Sequence, residues 1–529
     1  MPLMACVGPP EFLACELADE ASIVAPVEGA LWQPGSLKQF RAQAPSDERT
    51  KPRENEFEVW LTAQQTPVIK VWGAHTSSGN DEAHTSVLGG SFEPGFESLE
   101  AWHSYAIRTR SRHSEHNCEF GEWSAFTNFK IDDGSQMLFD DSVIGDIELT
   151  IPPESWTRIN EQAIPNTVPY LRNYYPGTVS YDGELFESAG MRVKGGWGSA
   201  RHLDEKASLK INLSDYGSGE GCPSSRRVRG LKRLTLNNQV QDGSFVRERL
   251  SYRLYDLVGV PSLRRAAIRV TVNDEPWGLY LHVETIDRRF LQRRDPQRVA
   301  NGMLYEGTYR CDIVPSNMPE EEGPATCFSM KFSQECSVPH TDGDPYTYAP
   351  LRRLSEAIEN FPEGEFYPEI YEIFDFDRYL SLWAADTISS NWDGAVYGDI
   401  NNYRLYHDPR ADLWSIIPSG VDQTFVKPST GERQVKLWEP GSILAKRCLQ
   451  EAGCEAALAT RLREVLAIYH NEDFAELATQ IANQVRDGVY ADPRKEVTNE
   501  EFEAEVLATI EYMEKRSATI DGWLRERGY

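Results

Sequence analysis

The sequence predicts an α+β fold in which an all-β sandwich precedes a β-rich region and then a mostly helical region. Three observations indicate this order: short alternating strands punctuated by Gly, Pro, Ser and Asn over residues 21–133, further strands over 145–290, and helical periodicity after about residue 350. A chain of 529 residues is long enough for two to four domains of roughly 100–200 residues each. The predicted divisions are a tether over 1–20, the sandwich over 21–133, and a domain over 145–529 whose two parts are 145–290 and 291–529.

Composition and charge exclude several classes of protein. Tryptophan, tyrosine and phenylalanine number 13, 23 and 21, too many aromatic residues for a largely disordered chain. With 54 Lys and Arg against 82 Asp and Glu, the formal net charge is −28, which repels a polyanion and argues against nucleic acid as the main partner. No apolar run approaches the roughly 20 residues that a transmembrane helix needs, so we predict no transmembrane segment.

The strands of the predicted sandwich are short and separated by turn residues. Residues 57–61 and 68–72 alternate in the manner of strands with one buried face. Residues 102–110, followed by Gly121-Glu122-Trp123-Ser124 and Phe126–Phe129, resemble the last strands of a fibronectin type III domain. The resemblance covers only this short stretch, and it implies a domain that presents or spaces its neighbour rather than one that catalyses.

One clear helix interrupts the strands of the β-rich region. Asp242-Gly243-Ser244 provides an N-cap and Gly259 ends the helical run. Apolar residues recur between them at helical spacing, namely Leu250, Leu254 and Leu257. We predict that this helix packs on a sheet built from residues 190–194, 207–213, 234–236, 267–272 and 277–283. The helical region ends in a long predicted helix within residues 499–527.

The cysteines and the amino terminus point to an exported protein. The nine cysteines form no CxxC pair and no spacing typical of structural zinc. The local groups Cys311/Cys327/Cys336 and Cys448/Cys454 suit disulfides in an oxidising compartment, with scattered reduced thiols as the alternative. The first residues lack the features of a secretory signal, yet Leu3-Met4-Ala5-Cys6 resembles the end of a bacterial lipoprotein signal. We therefore expect a truncated start, a lipid anchor at Cys6, and an extracellular or cell-surface location.

Candidate chemistry is concentrated between residues 390 and 425. Asp393 lies in an acidic loop, Asn402 enters a strand, a turn at 407–410 suggests a hairpin, and Asp422 leaves the second strand. Phosphoryl transfer needs one carboxylate to orient a hydroxyl, and a second carboxylate and an amide oxygen to hold Mg²⁺. Protein kinases present these groups in the same order, although the chain has no HRD, DFG or GxGxxG motif. Asp and Asn are also ordinary turn residues, so strand capping is the alternative.

The sequence motifs around these residues resemble those of the CotH-type spore-coat protein kinases, a family of atypical secreted kinases. The resemblance extends from about residue 145 to 529, and the motifs occur in the order of the family. They are Met191–Gly196, Lys206–Ile211, Val246–Leu250, Gly278–Asp287, Met303–Gly307, Asn391–Gly394, Asn402–Tyr406 and Pro418–Phe425. The resemblance implies an atypical two-lobe protein-kinase-like fold, with 145–290 as the β-rich N-lobe and 291–529 as the mostly helical C-lobe.

The resemblance also implies a role for each site residue. Asp393 would be the catalytic carboxylate, Asn402 a metal or loop-ordering ligand, and Asp422 the metal-binding Asp, with ATP and Mg²⁺ or Mn²⁺ as cofactors. The residues that would bind the nucleotide are Gly195, Gly196 and Gly198 in a short phosphate loop, Lys206 and Lys210 on the strand after it, and Glu284 near the adenine. Lys194 is a further candidate. A plain turn for the glycines and solvated strand positions for the lysines are the alternatives.

The sequence leaves two features of the site undecided: the partner of Arg247 and the residue that replaces a missing carboxylate. Arg247 lies in the first turn of the predicted helix, where its charge is unfavourable, so a partner carboxylate or phosphate is expected; Glu284 is a candidate, and a structural ion pair is the alternative to a nucleotide contact. The family usually shows Trp-Asp-hydrophobic-Asp where this chain has Ser419-Gly420-Val421-Asp422, so one of two close carboxylates is missing. The acidic residues that could compensate are Asp386, Asp399 and Asp408.

The leading functional prediction is a secreted or cell-surface kinase that transfers the γ-phosphoryl group of ATP to Ser or Thr of surface or coat proteins. The alternative is a catalytically weak or inactive kinase-like protein that acts in surface binding or adhesion, which the missing carboxylate favours. Transfer of a nucleotidyl group is a third possibility, because it uses similar residues.

Overall fold

The structure is a computed structural model that divides into two compact units, residues 1–136 and 137–529. The residues that it describes are 22–32, 39–43, 53–62, 67–75, 82–86, 102–113, 119–164, 172–216, 226–294, 302–318, 327–330, 348–426 and 434–529. The predicted tether over 1–20, the anchor at Cys6, and Cys336 lie outside these residues.

The first unit contains two β-sheets. Its strands are β1 (Ser22–Ala25), β2 (Ala30–Trp32), β3 (Gln39–Gln43), β4 (Arg53–Leu61), β5 (Pro67–His75), β6 (Glu82–Ser86), β7 (Ser104–His113) and β8 (Thr127–Ile131). One sheet has the order β1-β3-β6 and the other the order β2-β8-β7-β4-β5. Fully buried side chains from both sheets form one core, among them Phe40, Phe57, Ile107 and Phe129. The strands predicted at 57–61 and 68–72 are thus part of β4 and β5.

The arginine side chains of β7 in the first unit stack on aromatic rings from residues 120–126. The Arg108 guanidinium lies over the ring of Trp123 at 4.4 Å, and that of Arg110 lies 4.5 Å from the same ring. Arg108 also pairs with Glu58 at 2.7 Å, and Arg110 pairs with Glu56 at 2.6 Å. Cation–π contacts and paired charges both stabilise such a stack, so these residues have a structural role.

The second unit begins with a closed barrel. Its elements are β9 (Gly145–Thr150), α1 (Pro153–Asn160), β10 (Tyr175–Tyr181), β11 (Glu184–Lys194), β12 (Ser208–Asp215), β13 (Arg233–Asn237), α2 (Arg247–Leu257), β14 (Arg265–Val272) and β15 (Glu275–Val283). The strand order is β10-β11-β12-β13-β15-β14-β9, and β9 pairs with β14 in parallel. The five strands predicted for this region are all present, and the predicted helix is α2. Helix α1 was not predicted.

The strand period sorts the side chains of β11 and β12 onto two faces. Met191 and Val193 are buried in the barrel core, whereas Arg192 and Lys194, which alternate with them, are half-buried on the opposite face. The antiparallel register places Arg192 opposite Lys210, and Lys194 opposite Ser208. A row of basic side chains therefore lines the outer face of these two strands.

The rest of the second unit is mostly helical and contains a small sheet. Its elements are α3 (Arg288–Arg294), β16 (Met303–Gly307), β17 (Phe328–Met330), α4 (Ala349–Asn360), α5 (Phe366–Ile373), α6 (Phe376–Ser389), β18 (Tyr403–Asp408), β19 (Leu413–Pro418), α7 (Ile443–Leu449), α8 (Ala452–Asn471), α9 (Phe474–Tyr490) and α10 (Asn499–Glu526). The sheet has the order β17-β16-β18-β19. Helices α2 and α6 share one large apolar core with α8, α9 and α10. A capping box between Thr498 and Glu501 begins α10.

Two local disulfides lie within the helical region. Cys311 is bonded to Cys327, and Cys448 is bonded to Cys454. Both pairs fall within the groups that the sequence predicts, so the disulfide interpretation is confirmed for these four cysteines. None of the helices in the described residues is long and apolar enough to cross a membrane.

Candidate functional site

The hairpin of β18 and β19 brings Asn402 and the segment before Asp422 together. Tyr403 pairs with Pro418, so the residues at the open end, Asn402 and Ser419, are neighbours. The Ser419 N–H donates to the Asn402 carbonyl at 2.7 Å. The predicted order, an Asn entering one strand and an Asp following the other, is therefore confirmed as a hairpin.

Two asparagines hold Asp393 at this end of the hairpin. Asp393 follows α6, and its carboxylate accepts hydrogen bonds from Nδ2 of Asn402 at 2.8 Å and Nδ2 of Asn401 at 3.2 Å. Nδ2 of Asn402 also lies 3.2 Å from the carbonyl of Gly420. Oδ1 of Asn402 receives no hydrogen bond from any described residue, so it is available to a ligand.

Asp393 and Asp422 lie close enough to repel each other. Burial raises the pKa of Asp393 to about 7, and repulsion from Asp422 and Asp399 contributes to that increase. Burial also raises the pKa of Asp422, while Lys194 opposes the increase. Both side chains remain half-buried rather than enclosed, so a ligand can reach them.

Glu248 on α2 belongs to the same cluster and was missed in the sequence analysis. Burial and repulsion from Asp422 raise the pKa of Glu248 to about 8, and Lys194 acts in the opposite direction. Lys194 and Glu248 are joined through Asn237, which accepts from Lys194 Nζ at 3.1 Å and donates to Glu248 at 2.6 Å. The sequence feature that could have identified this cluster is the position of its members: Glu248 follows Arg247 in the first turn of the predicted helix, and Asn237 ends a strand.

Lys210 and Arg192 extend the basic side of the site. Burial lowers the pKa of Lys210 well below its usual value, and Arg192, Arg404 and Lys194 add to the effect, with Glu306 opposing it. No acceptor among the described residues lies within hydrogen-bonding distance of the Lys210 ammonium or the Arg192 guanidinium. Unpaired like charges are costly in a half-buried site, so this cluster suits an anionic ligand.

The glycine segment forms a turn at the start of the connection from β11 to β12. Gly195 has φ +107° and Gly198 has φ +76°, values that favour glycine. The N–H of Gly196 donates to Oγ of Ser199 at 3.2 Å, and the Ala200 N–H donates back to the Gly196 carbonyl at 3.0 Å. The three glycines thus begin directly after Lys194, in a turn that is closed by its own hydrogen bonds.

Lys206 has a structural partner instead of a place in the site. Its ammonium lies 2.5 Å from Oδ2 of Asp492, and both side chains are fully buried. Asp492 follows α9 and also accepts a hydrogen bond from the Leu279 N–H at 2.9 Å. Lys206 lies on the segment before β12, and its ammonium lies over the rings of Phe245 and Tyr280 at 4.9 Å and 5.3 Å. The Lys206 ammonium is therefore engaged by Asp492 and buried away from solvent.

Glu284 and Arg247 are also engaged elsewhere. Glu284 pairs with Arg264 at 2.8 Å and Arg293 at 2.6 Å; burial alone would raise its pKa, but the two arginines outweigh burial and lower the pKa to about 2. Arg247 pairs with Glu505 of α10 and lies 3.9 Å from Asp242. Arg247 therefore has a structural carboxylate partner, which is Glu505 and not the candidate Glu284, and both oxygens of Glu284 are occupied by arginines.

Gly420 replaces the missing carboxylate and allows Asn402 to approach. Gly420 has φ +62°, and a Cβ added there would lie 2.7 Å from Oδ1 of Asn402. A side chain at this position would therefore displace the amide that holds Asp393. Each of the three acidic residues that could compensate has a partner of its own: Asp399 pairs with Arg310, Asp408 pairs with Arg410, and Asp386 accepts from Tyr255 and Asn391.

The comparison with known families agrees with these features. The profile of the family described as CotH kinase protein matches residues 191–520. The chain belongs to the CotH family. The match includes the barrel strands from within β11 onward and nearly the whole helical region.

Two curated relatives and one solved structure extend the comparison. Inner spore coat protein H of Bacillus subtilis is 25% identical over 296 residues, which is 55% of this chain and 78% of that protein. Invasin CotH3 of Rhizopus delemar is 21% identical over 257 residues, 45% of this chain and 40% of that protein. The fibronectin(III)-like modules of Clostridium thermocellum CbhA are 13% identical, cover 36% of this chain and 83% of their own, and give a TM-score of 0.13. At that score the likeness carries no argument, so the fibronectin-like nature of the sandwich stays a prediction.

Proposed function

We propose that this CotH protein is an atypical Ser/Thr protein kinase that transfers the γ-phosphoryl group of ATP to surface proteins. The observation that carries the proposal is the meeting of Asp393, Asn402 and Asp422 at one end of the hairpin, with Lys194 acting on Asp422 from the barrel. The barrel and the helical region would then be the two lobes of a kinase-like fold.

Asp393 is the proposed group that orients the acceptor hydroxyl. A general base works best when its pKa is near the operating pH, and burial with repulsion from Asp422 raises the pKa of Asp393 to about 7. The amides of Asn401 and Asn402 fix its carboxylate in one orientation. Asp393 would accept the hydroxyl proton as the acceptor oxygen bonds to the γ-phosphorus and the bond from that phosphorus to the β,γ-bridging oxygen breaks.

The residues present fit a divalent cation bound together with a nucleotide. Among the described residues, no group of three or more His, Cys, Asp or Glu side chains is arranged to hold a metal ion. Mg²⁺ in phosphoryl-transfer sites usually takes one or two carboxylates and completes its shell with phosphates and water, so a preformed cage is not needed. Asp422 and the free Oδ1 of Asn402 would hold the ion, which when bound neutralises charge on the phosphates.

The basic face of the barrel is the proposed site of the phosphates. Lys194 attracts Asp422 and Glu248, so it lies beside the acidic group, and Lys210 and Arg192 continue the row. The turn at Gly195, Gly196 and Gly198 follows Lys194 directly and would border the phosphates.

The proposed location is the cell surface or a coat layer. Two relatives are named as an inner spore coat protein and an invasin, which supports a surface role for this chain. A lipid anchor at Cys6 and protein substrates at the same surface are part of the proposal.

The direct test is incubation of the purified protein with γ-labelled ATP and Mg²⁺ or Mn²⁺, with label scored on the protein and on added casein. Asp393→Asn and Asp422→Asn are the test variants, and Asp408→Asn is the control because Asp408 lies in the distant turn of the same hairpin. The proposal requires label in the wild type and control, and none in the test variants.

A surface-binding protein without catalysis is the second candidate. Gly420 favours it, because the family usually has a carboxylate at this place. Absence of transfer, together with no change in melting temperature on adding ATP and Mg²⁺, would support this candidate instead.

A further inference from the structure

Helix α2 contacts both segments that carry the proposed catalytic carboxylates. Glu248, Ser251 and Tyr255 lie three and four residues apart, so they share one face of the helix. All three side chains are buried, although this face lies within the large apolar core. Burying polar groups there is costly unless each has a hydrogen-bond partner, so their partners indicate what the helix holds.

Tyr255 holds the segment that leads to Asp393. Its hydroxyl donates to Oδ1 of Asp386 at 2.5 Å, and Nδ2 of Asn391 donates to the same oxygen at 3.1 Å. The main chain reinforces this contact, since the Asn391 N–H donates to the Asp386 carbonyl at 2.9 Å. Asn391 precedes Asp393 by two residues, so Tyr255 is linked to the proposed base through two short contacts.

Ser251 holds the segment that carries Asp422. The hydroxyls of Ser251 and Thr424 are 2.7 Å apart, and Oγ1 of Thr424 is 2.8 Å from the carbonyl of Val421. Val421 directly precedes Asp422. The two segments also touch each other, because the Phe425 N–H donates to the Ser389 carbonyl at 2.6 Å.

One carboxylate oxygen of Asp386 lacks a hydrogen bond, which is energetically unfavourable. Oδ2 of Asp386 is buried and has no hydrogen-bond partner, and burial raises the pKa of Asp386 to about 7. A Cβ at position 394 would lie 3.0 Å from this oxygen. Gly394 therefore allows the segment that carries Asp393 to pack directly against Asp386. A half-satisfied carboxylate in a core is typically kept for geometry and not for stability.

We propose that α2 sets the separation of Asp393 and Asp422, with Tyr255 and Ser251 as its two positioning residues. Tyr255 fixes the Asp393 segment through Asp386 and Asn391, and Ser251 fixes the Asp422 segment through Thr424. Because Glu248 sits on the same helix face, a shift of α2 moves all three carboxylates together. The inference rests on the proposed phosphoryl transfer for its kinetic readout, whereas its structural readout is independent of activity.

The test compares two variants that each remove one hydroxyl with a matched control. Tyr255→Phe and Ser251→Ala are the test variants. Tyr181→Phe is the control, because the Tyr181 hydroxyl is also buried and lies 3.3 Å from Nδ1 of His282, in the core of the barrel. Hydrogen–deuterium exchange is followed in peptides covering 386–395 and 419–426, and kcat and KM for ATP are measured in parallel.

Tyr255→Phe is expected to speed exchange in 386–395 only, and Ser251→Ala in 419–426 only, while Tyr181→Phe changes neither. The expected kinetic effect of each test variant is a loss of about tenfold in kcat with KM for ATP within about twofold. Equal exchange in all variants would overturn the inference, as would a loss of stability in Tyr255→Phe no different from that in the control. If the wild type transfers no phosphate, the proposed function fails, but the exchange pattern still decides the positioning role.

Discussion

Lys206 and Asp492 form an ion pair of 2.5 Å in which both side chains are fully buried. The pair joins the segment after the glycine turn to the connection between α9 and α10, and Asp492 also bonds the backbone of Leu279 in β15. A basic residue in a motif that suggests nucleotide binding is therefore used to hold the barrel against the helices.

Lys206→Met is predicted to destabilise the protein by about 3–5 kcal/mol, because it leaves the Asp492 carboxylate buried without its cation. Urea unfolding measures the change. Lys210→Met is the matched control, because Lys210 has no carboxylate partner in the described residues. It should leave stability unchanged or raise it, since it removes one of several neighbouring cations, and it should raise KM for ATP. A Lys206→Met protein of normal stability that fails to bind ATP would return Lys206 to the nucleotide site.

The activity is predicted to depend on ionisation of Asp393. Because the pKa of Asp393 is raised to about 7, kcat/KM should fall about tenfold for each pH unit below about 7. A pH profile between 5 and 9 measures this. A rate that stays constant down to pH 5 would show that Asp393 is not the base.

Asp393 is also predicted to lower stability at neutral pH. Its pKa is raised in the folded state, so its contribution is most favourable below the unfolded pKa and is lost as pH rises toward about 7. Asp393→Asn should therefore melt a few degrees above the wild type at pH 8, and the difference should disappear at pH 4. A lower melting temperature for Asp393→Asn at pH 8 would contradict the assignment of its burial.

Gly420→Asp is predicted to impair the site and not to restore it. The new side chain meets Oδ1 of Asn402 and must adopt a positive φ, at a cost of about 1–2 kcal/mol. Displacing Asn402 frees Asp393 from its amide, so kcat should fall. Gly420→Ala separates strain from charge. Tighter Mn²⁺ binding and faster transfer in Gly420→Asp would instead show that the missing carboxylate limits the enzyme.

The disulfide Cys311–Cys327 is predicted to stabilise more than Cys448–Cys454, because it closes a longer loop. Cys311→Ser/Cys327→Ser should lose about 3 kcal/mol, and Cys448→Ser/Cys454→Ser about 2 kcal/mol, by the loop-entropy relation. Denaturation of both double variants gives the order. The reverse order would mean that the short loop is held by packing of α7 on α8.

Elements defined by local pattern could be predicted from the sequence. The strands around Met191, Leu209 and Ile268 and the helix after Asp242 have strong periodicity and clear capping residues. The hairpin before Asp422 was equally visible. Closure of the barrel could not be predicted, because it depends on the parallel pairing of β9 with β14, two strands that are far apart in the chain.

Partners of charged residues were the least predictable part of the site. Lys206 and Lys210 have the same residue type and lie near each other, yet one meets Asp492 from a connection 286 residues away and the other meets other cations. Arg247 likewise forms an ion pair with Glu505 on α10 and not with Glu284. Sequence spacing fixes which side of a strand a residue occupies, whereas the choice of partner is made by the tertiary fold.

Parallel reactions with γ-labelled and α-labelled ATP, using wild type, Asp393→Asn and Asp408→Asn with casein as acceptor, test the proposed phosphoryl transfer. We expect label on casein from γ-labelled ATP alone, in the wild type and Asp408→Asn but not in Asp393→Asn. Label from α-labelled ATP would mean nucleotidyl transfer, and transfer that survives in Asp393→Asn would contradict the proposed catalytic carboxylate.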